Sequence, residues 1–455
     1  MTSCCTPPEV DLDALIHSGH IDTIMVGFPD QHGRLMGKRL TAKYFLELDP
    51  EHGVHACNYL LTADLDLNPL PGFELASWEQ GYGDFVLRPD PVTLKPLPWH
   101  PGSALLLCDL AHEDGTPVEQ SPRQILRRQV LACREQGFGV QMASELEFYL
   151  FQGSYDELAA GGFRDLAPST PYRIDYHLMG TDRDEALLRE ARNAMNEAGI
   201  VVEGSKGEWD RGQHEMNLGH SSPIEMADRH LIFKEGLKTI AGRHGRAATF
   251  MAKVDQAMAG SSCHIHVSLQ GEDGRNAFWD EANDRPARRF EHFLAGCLTH
   301  ARHLALFAAP NVNSYKRYQA TSFAPVSVAW GRDNRTCGFR VVGHGQSYRL
   351  ESRIPGADAN PYLAFAALLA AGLDGIAREL EPPPEARGNA YASPETARVP
   401  GSLGEAIHCL AEGEFARSAL GDAAVSHYLR LAELELATHQ SAVTDWELLR
   451  YFERG

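Results

Sequence analysis

Five stretches of this 455-residue chain carry residues whose types and spacing could do chemistry. In "ASELEFYLF", Glu145 and Glu147 stand one residue apart inside an apolar run. On an extended strand alternate side chains share a face, so the two carboxylates point one way and Leu146, Phe148 and Leu150 point the other, into a core. Two like charges about 6 Å apart repel by roughly 3 kcal/mol at an effective dielectric of 20, which calls for a cation or a cationic substrate. "KGEWDRGQHEMNL" adds Glu208 and Glu215 in a glycine-bearing, irregular stretch, where by themselves they read first as solvated surface carboxylates. In "CHIHVSL", strand alternation puts His264, His266 and Ser268 on one face, an array that fits a ligand or metal as well as it fits a core. The segment "RTCGFRVVGHGQSYRLESRIPG" supplies Arg335, Arg340, Arg349 and Arg353. Arg349, Glu351 and Arg353 alternate onto one strand face, and a bulge at Gly338 would bring Arg335 and Arg340 to it. "NSYKRY" adds Lys316 and Arg317 just upstream. A cross-strand ladder of ion pairs would explain these arginines, but guanidinium forks also match carboxylates and phosphates in bidentate fashion.

Hard carboxylate oxygens with little thiolate favour Mg²⁺ or Mn²⁺ over zinc. Arginines together with a divalent metal make the chemistry of phosphoryl transfer, in which the protein positions groups and neutralises charge. No Walker glycine loop is present, and no Ser-His-Asp or Cys-His arrangement stands out. The net charge of −19 argues against nucleic acid and against an anionic membrane surface. No apolar run is long enough to span a bilayer, and "MTSCCTPPEVDLDALI" lacks a basic segment followed by an apolar one, so a cytoplasmic protein is expected. Nine scattered cysteines fit reduced thiols. Cys4 and Cys5 lack a second pair at ligand spacing and read as part of a frayed terminus.

These groups need a scaffold, and the pattern supplies one. The first hundred residues read as short strands and turns, with a hairpin in "IDTIMVGFPDQHGRLMGKRLT" around Asp30–Gly33. A proline-dense passage from Pro89 to Pro101 excludes helix, and "ALLLCDL" reads as a buried strand. Ser121 and Pro122 open a helix that Gly137 ends. The domain boundary is placed between Ala111 and Ser121, giving units 1–115 and 116–455. The second unit continues with the Glu-Leu-Glu strand over 140–151, amphipathic helices near 183–198 and 227–242, and strands in "RAATFMAKV" and "CHIHVSL". It ends with a largely apolar helix capped by Asn360 and opened by Pro361, then an exposed proline-rich loop from Glu381. Strands and helices mixed without regular alternation make an α+β class.

The ordered set "SELEFYLF", "GEWDRGQHEMNL", "GSSCHIHVSL", "NSYKRY", "DNRTCGFR" and "YRLESRIPGADANPYLAFAALLAAGLDGI" resembles a glutamine synthetase of the bacterial type I group, most tightly from Gln141 to Ile376. The resemblance implies a small N-terminal β-grasp domain and a larger catalytic domain with a curved antiparallel sheet. It also implies two stacked hexameric rings, a dodecamer in which each active site borrows residues from a neighbour's N-terminal domain. Carried over position by position, it implies one metal held by Glu147, Glu208 and Glu215 and another by Glu145, His264 and Glu351. His266, Ser268 and Arg349 match nucleotide-contacting positions, and Gly260 matches the glutamate-binding loop. Arg317, Arg335, Arg340 and Arg353 match residues that grip glutamate and the transferred phosphate. The implied reaction is phosphorylation of the γ-carboxylate of glutamate by ATP, followed by displacement of phosphate by an amine.

Departures from the family pattern fall at the ammonium site. The family's flap glutamate stands six residues after the first glutamate-gripping arginine, and counting from Arg317 lands on Phe323. An N-terminal aspartate that helps bind ammonium is matched here by Asn58, and the asparagine before the loop glycine by Ala259. A phenyl ring and an amide suit an amine that carries carbon better than a small hydrated cation. The expected activity is therefore an ATP-dependent glutamate–amine ligase of the γ-glutamylpolyamine or γ-glutamylethanolamide synthetase kind, acting on a polyamine, ethanolamine or an alkylamine. An ordinary glutamine synthetase using ammonium, and a non-catalytic regulatory paralogue, are the alternatives. Tyr391 in "GNAYASPE" sits where some family members accept a regulatory adenylyl group.

Overall fold

Two sheets, each with its own apolar core, set the frame. The computed structural model describes residues 12–48, 53–320, 322–392 and 396–455; Cys4 and Cys5 lie outside them. The fold is α+β.

In the first sheet, six strands run from the outer Leu35–Thr41 through Thr23–Pro29, Ser103–Ala111 and Asp84–Pro89 to Val54–Cys57, with Lys95–Pro96 beside Ser103–Ala111. Thr23–Pro29 and Ser103–Ala111 pair in parallel; the other contacts are antiparallel. The expected hairpin is present, with Asp30 tying its turn: the Asp30 carboxylate accepts from the backbone N–H of His32 and Arg34 and pairs with the Arg34 guanidinium at 2.7 Å. Alternation along Ser103–Ala111 serves two cores at once. Leu106, Cys108 and Leu110 pack with Ile24, Val26 and Phe28, while Leu105 and Leu107 face the second core with Trp99. That double burial explains why "ALLLCDL" is apolar without alternation.

The second sheet has eight strands, with the 14-residue Gly139–Gln152 at its centre. Cys263–Gln270 and Gln213–Leu218 flank it, Arg349–Ser352 and Phe339–Val342 extend one side, and Val202–Gly207 the other. The sheet is antiparallel except where Trp330–Arg332 runs parallel to Phe339–Val342. Two local expectations are corrected. "RAATFMAKV" forms a strand only over Arg246–Thr249. Arg335 lies in a turn between two strands rather than beside a bulge at Gly338, because the chain must reverse its path to make the parallel pair.

Four helices pack behind this sheet: Pro122–Glu135, Pro223–Arg243, Arg288–His300 and Pro361–Ala377. The last is apolar all round because it is buried all round. It approaches Arg288–His300 so closely that a Cβ on Gly296 would stand 2.1 Å from the Ala371 carbonyl oxygen. Asn360 caps it by accepting from the Tyr362 N–H, and its own amide donates to the carbonyls of Asp30 and Gln31 at 3.2 Å. The helix cap therefore holds the hairpin turn of the first sheet. A buried charge cluster makes a second tie: Arg123 reaches Asp109, Asp90 and Asp228 at 2.6, 2.8 and 3.1 Å, and Tyr362 donates to Asp228 at 2.6 Å.

Candidate active site

The strand register decides which acids meet. Glu145 stands opposite His264, Glu147 opposite Glu215, and Glu351 opposite both His266 and Arg340. Directly paired residues share a face, so the expected alternation places Glu145, Glu147, His264 and His266 together while Leu146 turns into the core at 0% exposure. Glu145, His264 and Glu351 bring ligand atoms within 4.8 Å of one another, as the expected set requires. The other group that does so is Glu147, Glu215 and His264, with His264 where Glu208 was expected. Glu208 lines the same cavity, but its carboxylate is drawn to the Lys206 ammonium, which also stands 3.9 Å from Glu215.

The electrostatics of this floor are those of a cation site. Burial pushes the Glu147 carboxyl up to about 8, with Glu208 adding to the rise. Burial and Glu208 push Glu215 well above the carboxylate range as well. Glu145 and Glu351 are held low despite burial: hydrogen bonds from His264 and His266 hold Glu145, and His264 with Arg353 and Arg340 hold Glu351. Burial, and Arg353 beside it, lower the His264 imidazole toward the neutral form that ligates metal. Carboxylates buried in contact with each other are stable only with protons, cations or both, and an oxygen-rich set with one imidazole suits Mg²⁺ or Mn²⁺.

Two cavities open from this floor and meet at Glu145 and Asn217. The larger, about 520 Å³, is lined by His266, Ser268 and Arg349, the three residues expected to touch nucleotide. Arg349 donates to His266 Nδ1 at 3.1 Å, which leaves Nε2 to carry the proton facing Glu145 at 3.0 Å. The smaller, about 420 Å³, is lined by Gly260, Arg335, Arg340, Arg353 and Phe323 among others. Arg340 and Arg353 clamp Glu351 at 2.9 and 2.5 Å. Arg335 makes no hydrogen bond or ion pair among the described residues and is exposed to the cavity.

Two expected contacts are placed differently. Arg317 is 1% exposed and does not line the cavity. Its guanidinium donates to the Ser262 hydroxyl and the Ile354 carbonyl, and its stem packs so closely behind Gly260 that a Cβ there would stand 2.3 Å from Arg317 Cγ. It holds the glycine loop from behind. Asn58 opens a short 3₁₀ turn after Val54–Cys57 in the first sheet and lines no part of the cavity of its own chain.

The rim of the smaller cavity was not legible in the residue pattern. Asp175, Tyr176, Lys206 and Trp209 line it with Phe323. The rings of Trp209 and Phe323 meet edge to face at 5.8 Å, Arg173 lies over Trp209 at 4.7 Å, and Lys206 lies over Tyr176 at 4.6 Å. The one signal that pointed here was an exposed-type tryptophan directly after Glu208; residues 173–176 are irregular and carry no period. Phe323 sits in the left-handed region at φ +60°, and its neighbour's carbonyl, Ala324 O, accepts from the Tyr391 hydroxyl at 3.0 Å. The tyrosine considered for adenylylation is thus tied to the Phe323 loop.

The model of the glutamine synthetase catalytic domain matches residues 119–451. The gamma-glutamylethanolamide synthetase GlnA4 of Streptomyces coelicolor is 48% identical over 99% of this chain and 97% of its own. The glutamate–isopropylamine ligase of a Pseudomonas species is 37% identical over 96% of each chain. The solved ligand-free structure of GmaS superposes with a TM-score of 0.83 at 29% identity, covering 97% of this chain and 99% of that one. With its two carboxylate groups, paired cavities and arginine clamp, this chain belongs to the glutamine synthetase family and is an enzyme that forms carbon–nitrogen bonds.

Proposed function

We propose that the chain is an ATP-dependent ligase joining the γ-carboxylate of glutamate to a small organic amine through γ-glutamyl phosphate. The observation that carries this reading is one cavity with two unlike sides: a floor of buried carboxylates and arginines, and a rim where Phe323 and Trp209 stand instead of a flap carboxylate. A relative named for ethanolamine and another for isopropylamine agree with it. Mg²⁺ or Mn²⁺, two or more, would be held by Glu145, His264 and Glu351 and by Glu147 and Glu215 with Glu208. Those ions would offset negative charge on the nucleotide and the acyl phosphate. His266, Ser268 and Arg349 would hold ATP. Gly260, Arg335, Arg340 and Arg353 would hold glutamate and the phosphoryl group, with Arg317 supporting the loop. An amine of a few carbons matches the short aromatic wall better than a polyamine does.

The reading extends to the assembly. A dodecamer of two hexameric rings, with an N-terminal unit 1–115 and a catalytic unit 116–455, would carry Asn58 to a neighbour's cavity. A cytoplasmic location goes with it; no helix among the described residues is long and apolar enough to cross a membrane. The test supplies ATP, Mg²⁺ and glutamate with ammonium, ethanolamine, isopropylamine and a polyamine, and measures phosphate release and product mass. Preference for a small organic amine is expected. Ammonium turning over as fast as every organic amine would make this an ordinary glutamine synthetase, and no turnover by folded, assembled protein would favour a regulatory paralogue.

A further inference from the structure

An alkylammonium ion is protonated at neutral pH, as a lysine side chain is, and must lose a proton before its nitrogen can attack. The position counted for a flap carboxylate holds Phe323, and the one counted for the N-terminal aspartate holds Asn58, an amide. The carboxylates that line the smaller cavity are Glu145, Glu147, Asp175, Glu208 and Glu215. All but Asp175 belong to the metal-ligand sets described above. Asp175 belongs to neither group of converging ligands and is exposed on the rim.

Its placement is fixed by its neighbours. Ile174 is fully buried, and its carbonyl accepts from the His177 N–H at 2.8 Å. The Tyr176 N–H donates to the Gly207 carbonyl at 3.2 Å, and a Cβ on Gly207 would stand 2.4 Å from the Ile174 oxygen. The loop is therefore pressed against the end of the Val202–Gly207 strand, beside Glu208 and the Trp209–Phe323 pair. Burial raises the Asp175 carboxyl, which moves it toward a proton acceptor.

Resting on the ligase reading above, we infer that Asp175 receives the protonated amine and takes its proton while Trp209 and Phe323 enclose its carbon. Asp175 accepts one proton from the alkylammonium ion. The freed lone pair forms the bond to the γ-carbonyl carbon of γ-glutamyl phosphate, and the carbon–oxygen bond to phosphate breaks with its electron pair leaving on phosphate. The second proton leaves the new amide nitrogen with the released phosphate. Lys206 and Glu208 act on the Asp175 carboxyl, Arg173 lies over Trp209, and Arg335, Arg340 and Arg353 line the same cavity.

Hydroxylamine separates this step from all others, because it is already neutral at pH 7. The readout is the ratio of kcat/KM for ethanolamine or isopropylamine to that for hydroxylamine, which does not depend on the fraction of folded enzyme. In Asp175→Asn and Asp175→Ser this ratio is expected to fall about 10²-fold or more, and in Asp175→Glu to stay near the wild-type value. A ratio within about threefold of wild type in both neutral variants overturns the role of Asp175. Wild-type enzyme that uses ammonium as well as every organic amine overturns the ligase reading instead, and the same ratio, taken with ammonium, then still tests Asp175.

Discussion

The carboxylate floor and the aromatic rim of one cavity are built on opposite principles. Glu145, Glu147, Glu215 and Glu351 of the floor come from strands of a single sheet and are held by direct cross-strand pairs, so Glu147, Glu215 and Glu351 have 7%, 3% and 0% exposure. Rim residues come from irregular segments and remain open, with Tyr176, Phe323 and Trp209 at 69%, 51% and 43% exposure. Tyr176 and Phe323 also sit at positive φ, a conformation an L-residue keeps only when its surroundings enforce it. On the proposed reading, a step shared by such ligases falls to the rigid half, and the choice of amine to the half that can vary without disturbing the sheet.

The largest break in that contrast is expected at Glu215. Glu215→Gln keeps the shape and replaces a buried carboxyl that ionises only at a cost, so without divalent metal the protein should melt at an equal or higher temperature. Activity should nevertheless fall by at least about 10²-fold, with a raised Mg²⁺ requirement. Calorimetry in chelator and a Mg²⁺ titration of activity check both arms; a lower melting temperature would mean that Glu215 supports the fold. Beneath the floor, Arg123→Met should lower stability by about 3–5 kcal/mol, because Asp228 is left buried without its ion pair. Arg173→Met, at the exposed rim, should change stability by less than about 0.5 kcal/mol. Urea unfolding followed by fluorescence distinguishes them. Phe323→Glu returns a carboxylate to the rim and should shift the ammonium-to-isopropylamine ratio of kcat/KM by about tenfold toward ammonium, with the glutamate KM little changed. An unchanged amine profile would remove Phe323 from the amine pocket.

The two halves also differ in how far residue order exposes them. Strand alternation has a period of two, so the shared face of Glu145 and Glu147, and of His264 and His266, follows from spacing alone. Family resemblance added Glu351 and the sorting into two sets, and the register brings Glu145, His264 and Glu351 together. What spacing does not carry is competition for a side chain. Glu208 is drawn aside by Lys206, and Arg317 is spent on Ser262 and Ile354, because nothing in a residue's type says which neighbour it will meet first. Asp175 and Trp209 were missed for another reason: their segments have no period, and what brings them together is the packing of Ile174 against Gly207.

The smallest expected effect tests whether the rim has a support of its own. Tyr391 donates to the carbonyl next to Phe323, so the hydroxyl holds the segment that presents the ring. Burial raises the Tyr391 phenol, so it stays a proton donor throughout the working pH range. Tyr391→Phe removes one neutral hydrogen bond, worth about 0.5–1.5 kcal/mol, from the loop alone. The amine KM should therefore rise by about two- to tenfold while the KM values for ATP and glutamate and the melting temperature stay near wild type. Equal increases in all three KM values would show that the tyrosine supports the whole cavity, and the division between a rigid floor and a separately tuned rim would then be too sharp.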